Sequence, residues 1–127
     1  MRNLLGNYRQ NNGEAELYLS NATSDHKIEG NMINYNVKGR GITNQINFTG
    51  TYKTIKQRSD TFYLVTMQAI GTYNNERTQT NLPVAISFSG FMTEGSNNLL
   101  TQFSQAYEFF GNAEEVSGTL IAWMKTD

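Results

Sequence analysis

The sequence predicts an all-β chain: a single domain whose eight antiparallel strands follow one another up and down and close into a barrel. Three observations carry this. First, the 127 residues include 16 Asn, 14 Thr, 11 Gly and one Pro. That is a surplus of turn formers and β-compatible residues over the Ala, Leu, Glu and Lys that fill helices. Second, short segments of alternating apolar and polar residues recur about every 8 to 15 positions, separated by Gly, Asn and Ser clusters, which is the pattern of an antiparallel meander. Third, Gly30, Gly50, Gly71, Gly90 and Gly118 fall inside these segments rather than between them. Glycines so placed supply the bends and bulges of a closed sheet. Closure also removes exposed edges, which this chain has few charges to protect.

The segments follow in order. Leu4 to Arg9 opens, and Asn11-Asn12-Gly13 reads as a turn because Asn and Gly tolerate positive φ. Ala15 to Ser20 places Ala15, Leu17 and Leu19 on one face. The polar turn SNATSDHK leads to Lys27 to Val37, with Ile28, Gly30 and Met32 on one side; Gly39-Arg40-Gly41 breaks it. Ile46 to Ile55 aligns Ile46, Phe48, Gly50 and Tyr52. A charged tip from Lys56 to Asp60 precedes Phe62 to Tyr73, the longest β-like run, and Asn74 to Asn81 reads as a polar loop. Pro83 suits a strand start, where its missing N–H does little harm. Val84, Ile86, Phe88 and Gly90 then alternate with Ala85, Ser87 and Ser89. Val116 to Lys125 closes the chain, setting Thr119, Ile121 and Trp123 against Gly118, Leu120 and Ala122.

Residues 97–110 (NNLLTQFSQAYEFF) fit two structures. As a strand they put Leu99, Thr101, Phe103, Gln105, Tyr107 and Phe109 on one face. As a short helix they group Leu99, Phe103, Ala106, Tyr107 and Phe110, with Ser96 or Asn97 as a cap and Gly111 as a stop. Periodicity alone leaves both open.

Composition narrows the function classes. Charged residues are 17% and the net charge is −1, so no electrostatic footprint for nucleic acid or an anionic membrane is expected. With no cysteine, there is no disulfide scaffold, thiolate metal site or cysteine nucleophile. No stretch reaches the roughly 18 apolar residues that span a bilayer, and the first residues lack the apolar core of a signal peptide, so a soluble chain is expected. Neither cofactor nor metal is expected, and catalysis finds little footing. The only histidine, His26, sits beside Asp25 in a polar turn and reads as an exposed loop residue. Glu114-Glu115 reads as a solvated turn, and Gly39-Arg40-Gly41 as a flexible turn rather than an anion cradle. A non-enzymatic binding protein is the reading that remains.

Several phrases, in order, resemble the avidin and streptavidin family of eight-stranded barrels. Leu5-Gly6-Asn7-Tyr8 with Gln10-Asn11-Asn12-Gly13 resembles the family's opening L-x-G-x-W and N-x-x-G. Ile28-Glu29-Gly30-Asn31-Met32 and Phe48-Thr49-Gly50-Thr51-Tyr52 resemble its L-T-G-x-Y. Ile86-Ser87-Phe88-Ser89-Gly90 resembles T-x-W-S-G, Leu100-Thr101-Gln102-Phe103 resembles the I-N-T-Q-W strand, and Val116-Ser117-Gly118 resembles the final L-V-G. The resemblance implies an up-and-down barrel and a dimer or tetramer. It does not imply biotin binding. The family's hydrogen-bonding positions fall here on Gln10, Glu14, Met32, Val84, Ile86 and Leu120, and its tryptophan cage on Met67, Phe88 and Phe103. A site built on hydrogen bonds loses orders of magnitude when its partners become apolar.

The seven Phe, seven Tyr and one Trp are enough to fill a barrel core. They also allow a small apolar or amphipathic ligand at one barrel mouth. Its expected contacts are Met32, Met67, Phe88 and Phe103 with Tyr8, and Gln10 and Asn34 near the opening. The alternatives are a self-assembling interaction module, to which low surface charge and Trp123 point, and a carbohydrate-binding module using Asn, Gln and Thr on loops.

Overall fold

The computed structural model describes residues 4–11, 13, 15–36, 42–75, 80–109 and 112–127. Its elements are eight strands: β1 (Gly6–Gln10), β2 (Glu16–Ala22), β3 (Lys27–Asn36), β4 (Ile42–Gln57), β5 (Asp60–Asn75), β6 (Thr80–Thr93), β7 (Asn98–Phe109) and β8 (Asn112–Lys125). Each pairs antiparallel with the next, and β8 returns to β1 through Tyr8↔Lys125 and Gln10↔Trp123, closing the sheet. The expected eight-stranded up-and-down barrel is therefore the fold.

The alternation in sequence becomes inside and outside. Leu17 and Leu19, Ile28 and Met32, Ile46 and Phe48, Tyr63 to Ala69, Val84 to Phe88, and Leu99 to Tyr107 at every second residue are buried; the residues between them face out. Phe48 meets Phe88 edge-on at 5.3 Å between ring centroids, Phe88 stacks on Phe103 at 4.8 Å, and Phe103 leans on Trp123 at 6.1 Å. This line of rings crosses the barrel and fills its middle. Such pairs contribute about 0.5–1.5 kcal/mol each beyond their area.

The structure corrects several element readings. Residues 98–109 form β7, not a helix, and no helix occurs among the described residues. The reason is non-local: β7 has partners on both edges, Phe88↔Phe103 on one and Thr101↔Ile121 on the other, and only period two buries its apolar residues against both. The strands also run further than their apolar cores. β5 and β6 extend through Asn75 and from Thr80, where a longer polar loop is expected, and β4 begins at Ile42. Glu114 and Glu115 belong to β8, opposite Tyr107 and Ala106, and are not a turn. Pro83 lies inside β6 opposite Thr72, just past Val84↔Tyr107, the last described rung toward β7. Gly39-Arg40-Gly41 lies outside the described residues.

The end holding the β2–β3, β4–β5 and β6–β7 turns is termed lower. There the Tyr8 hydroxyl donates to the Leu4 carbonyl oxygen at 2.6 Å and meets the Met92 sulfur at 3.4 Å. The Asn7 N–H reaches the Asp127 carboxylate at 3.2 Å, and the Thr126 N–H donates to the Asn7 carbonyl at 2.8 Å, tying the last residues to β1. Tyr8→Phe is expected to cost about 1–2 kcal/mol, because it leaves the Leu4 carbonyl without its donor; urea denaturation measures it. Burial foremost, with Asp127 nearby, pushes the Tyr8 hydroxyl above the usual tyrosine range. Burial, with Glu94 second, raises Tyr63. Both shifts favour the protonated, folded form. Their stabilisation is complete below the unfolded tyrosine value of about 10 and is lost as pH rises past it. The melting temperature should accordingly fall above pH ~10, and Tyr8→Phe should flatten that fall.

Two glycines are fixed by geometry. A Cβ at Gly50 would overlap the Thr66 carbonyl oxygen on β5. Gly118 has φ +75 and lies in β8 where the β7 register shifts between Phe103 and Gln105; a bulge of this kind favours glycine.

Candidate functional site

The residues expected at a ligand site do not share one surface. Met32, Met67, Phe88 and Phe103 are interior side chains with 0–3% exposure. Met67 and Phe88 are paired across β5 and β6, and Phe88 stacks on Phe103. Tyr8 is interior too, but its hydroxyl serves the lower seal. Gln10 is half-buried at the upper end of β1, opposite Trp123. Asn34 is exposed on β3 with φ 59, a left-handed conformation that Asn tolerates.

Two buried polar residues on β7 are missing from that set. Thr101 is fully engaged: the Trp123 Nε1–H donates to its hydroxyl at 2.9 Å, and that hydroxyl donates to the Ile121 carbonyl at 2.8 Å. Gln105 is 6% exposed, and its Oε1 has no hydrogen-bond partner among the described residues. The signal for both lay in the alternating run Leu99, Thr101, Phe103, Gln105, Tyr107, where a polar residue on a buried face calls for a partner.

The outer wall divides in two. On β1 to β4 the outward side chains include Arg9, Glu16, Lys27, Glu29 and Lys53, with Arg9 paired to Glu16 at 3.2 Å. On β5 to β8, the outward positions from Phe62 to Thr72, Pro83 to Thr93, Asn98 to Ala106 and Gly118 to Met124 carry no ionisable side chain. Across this half runs an apolar rung, Leu64↔Phe91↔Leu100↔Ala122, one residue from each strand. Leu100 is 45% exposed and Leu120, diagonal to it, 80%.

The wall is hollowed at its waist. A shallow concavity of about 710 Å³ is lined by Thr51, Thr66, Gln68, Ser87, Gln102 and Ser104 among others. A second, of about 600 Å³, is lined by Leu64, Phe91, Leu100 and Leu120, and shares Ser89 and Gln102 with the first. Hydroxyl and amide groups thus border an apolar strip with no charge between them. Amides and hydroxyls both donate and accept, so such a surface is complementary to itself.

His26 is exposed in the lower β2–β3 turn, as expected, at φ 66 with its ring 5.4 Å from Tyr52. The neighbouring Asp25 carboxyl is held below its ordinary value, first by the Thr23 hydroxyl and then by Lys27. Among the described residues, no group of three or more His, Asp or Glu side chains lies close enough to hold a metal ion. Comparison of the chain with family models, curated proteins and solved structures finds no match.

Proposed function

We propose that the protein is a non-enzymatic binding module that assembles with copies of itself through the outer wall of β5 to β8. The observation that supports this most is that the outward positions of Phe62–Thr72, Pro83–Thr93, Asn98–Ala106 and Gly118–Met124 carry no ionisable side chain, while the opposite wall carries both signs of charge. A charge-free surface meets its own copy without like-charge repulsion, and its Ser, Thr and Gln groups can pair with their symmetry mates. Shape favours the same partner. The outer surface of a barrel is convex around its girth and concave along its axis. Two such saddles nest when they cross near a right angle, as packed sheets do in orthogonal arrangements. Leu64, Phe91, Leu100 and Leu120 supply the apolar centre that an interface needs. The motif order resembling the avidin family, whose barrels form dimers and tetramers, agrees with this reading.

Sedimentation velocity over a concentration series tests it. Leu120→Lys places two like charges at a two-fold interface and should raise the dissociation constant by about 100-fold, which is about 2.7 kcal/mol. Asn47→Lys, on the charged wall, should leave it unchanged. Equal behaviour of the two variants would refute the assignment, as would a monomeric wild type that retains a neutral glycan on this wall.

A further inference from the structure

We infer that the groove along the lower outer wall of β4 to β7 binds a free long-chain carboxylate, and that its occupancy competes with assembly. The chain lies along Leu64, Phe91 and Leu100, with its head group at Lys53 and His26. The inference rests on the wall already read as the assembly surface and adds a regulator to that reading; the groove is open to the carboxylate in a single chain as well.

One outward row joins the parts. Lys53↔Leu64↔Phe91↔Leu100 are paired residue by residue across β4, β5, β6 and β7. The row crosses the gaps between four strands, about 14 Å at about 4.8 Å each, which is the length of an extended chain of about twelve carbons. The wall is concave along the barrel axis, so its groove runs around the girth, the direction of the row. Leu64, Phe91 and Leu100 line the apolar concavity of about 600 Å³. Another, of about 390 Å³, is lined by Leu64 together with Lys53 and His26. Leu64 belongs to both, so the two run into each other.

The apolar part offers area to cover. Leu64, Phe91 and Leu100 keep 37%, 43% and 45% of their surface exposed, and a hydrocarbon chain laid over them gains in proportion to the area removed from water. The charges decide the head group and the end it takes. Outward positions from Phe62 to Thr72, Pro83 to Thr93 and Asn98 to Ala106 carry no ionisable side chain, so Lys53 is the charge that borders the row. It makes no ion pair among the described residues, whereas Lys27 is held by Asp25 at 3.7 Å and Arg9 by Glu16 at 3.2 Å. An ammonium without a partner at the end of an apolar groove complements a carboxylate.

The rim beside Lys53 is fixed in place. The Tyr52 N–H donates to the His26 carbonyl at 3.0 Å, and the Tyr52 hydroxyl donates to the Thr23 carbonyl at 2.7 Å. The His26 and Tyr52 rings lie 5.4 Å apart. These contacts hold the β2–β3 turn against β4, so that His26 lines the same concavity as Lys53 and adds a ring nitrogen for the head group. Asp25, beside His26, is engaged by the Thr23 hydroxyl and by Lys27.

Dodecanoate below its micelle concentration tests this, with dodecyltrimethylammonium as the control of equal chain length and opposite charge. Each is titrated into isotope-labelled protein and followed by NMR. Dodecanoate should shift the Leu64, Phe91 and Leu100 amides saturably and bind about tenfold more tightly than the cation. Lys53→Glu should abolish or reverse that preference, because it exchanges an attraction for a repulsion. Leu100→Ser should weaken both amphiphiles alike; Phe91→Ser serves the same purpose should that variant not fold. In parallel sedimentation velocity, dodecanoate should move an assembled wild type toward one chain. The inference is overturned if neither amphiphile gives a saturable shift, if the preference is absent or survives in Lys53→Glu, or if binding is seen only with phosphatidylglycerol vesicles. Bound dodecanoate that leaves an assembled wild type intact overturns the competition. A wild type that is monomeric before any amphiphile is added refutes the assembly reading instead, and the shifts still decide the groove.

Discussion

Trp123→Ala is expected to destabilise the barrel by about 3–5 kcal/mol, the range for deleting a large buried aromatic side chain. The residue is fully buried on β8. Its ring ends the aromatic line that begins at Phe48, and its Nε1–H holds the Thr101 hydroxyl at 2.9 Å. Truncation opens a cavity beside Phe103 and frees the Thr101 oxygen from its donor. Against a typical domain stability of about 5–15 kcal/mol this is a large fraction, so the midpoint of a urea titration should move far to lower denaturant. Trp123→Phe separates the two contributions. It keeps a ring against Phe103 but removes the donor and part of the indole volume, so its cost should lie between that of one hydrogen bond, about 1 kcal/mol, and that of the alanine variant. Equal losses in the two variants would mean that the ring retained against Phe103 contributes little at this position.

Gly50→Ala is expected to cost as much as an overpacked core substitution, about 1–3 kcal/mol, and to lie at the upper end of that range. The atom in the way is the Thr66 carbonyl oxygen, which is part of the β5 backbone and has no rotamer to change. Relief requires β4 and β5 to separate where Thr51↔Thr66 and Gly50↔Met67 are paired. Gly95→Ala provides the comparison. It sits in the lower β6–β7 turn with open space around its Cβ position but φ +88, so only backbone strain opposes it, about 1–2 kcal/mol. Thermal unfolding of both variants ranks steric overlap against backbone strain, and a Gly50→Ala protein as stable as wild type would show that the two strands can part freely.

The fold was legible because strand alternation is a local signal. Leu17 and Leu19, Phe48 and Tyr52, and Val84 to Phe88 declare an inside and an outside without reference to any neighbour. The helix alternative for 97–110 arose because Leu99, Phe103 and Tyr107 satisfy both periods. It is settled only by pairing to β6 and β8, which no single segment contains. The upper strand ends extend past what composition predicts for a related reason. Asn74, Asn75 and Thr80 are turn-forming by composition, yet ladder pairing between β5 and β6 keeps them extended. In the interior, sequence found the aromatic residues but could not say how they fill the space, because ring stacking depends on register around the whole barrel. Gln105 stands on an alternating face, while the lack of a partner for its Oε1 among the described residues is a property of three dimensions. The charge-free stretch of wall from Phe62–Thr72 to Gly118–Met124 is likewise present in the alternate residues of four segments and becomes one surface only when β5 to β8 are side by side.

Sedimentation equilibrium of the wild-type chain at high micromolar concentration tests assembly through that wall. A mass that is a whole multiple of the 14.3 kDa chain, reverting toward one chain in Leu120→Lys, is the predicted result. A strict monomer across the concentration range would contradict it.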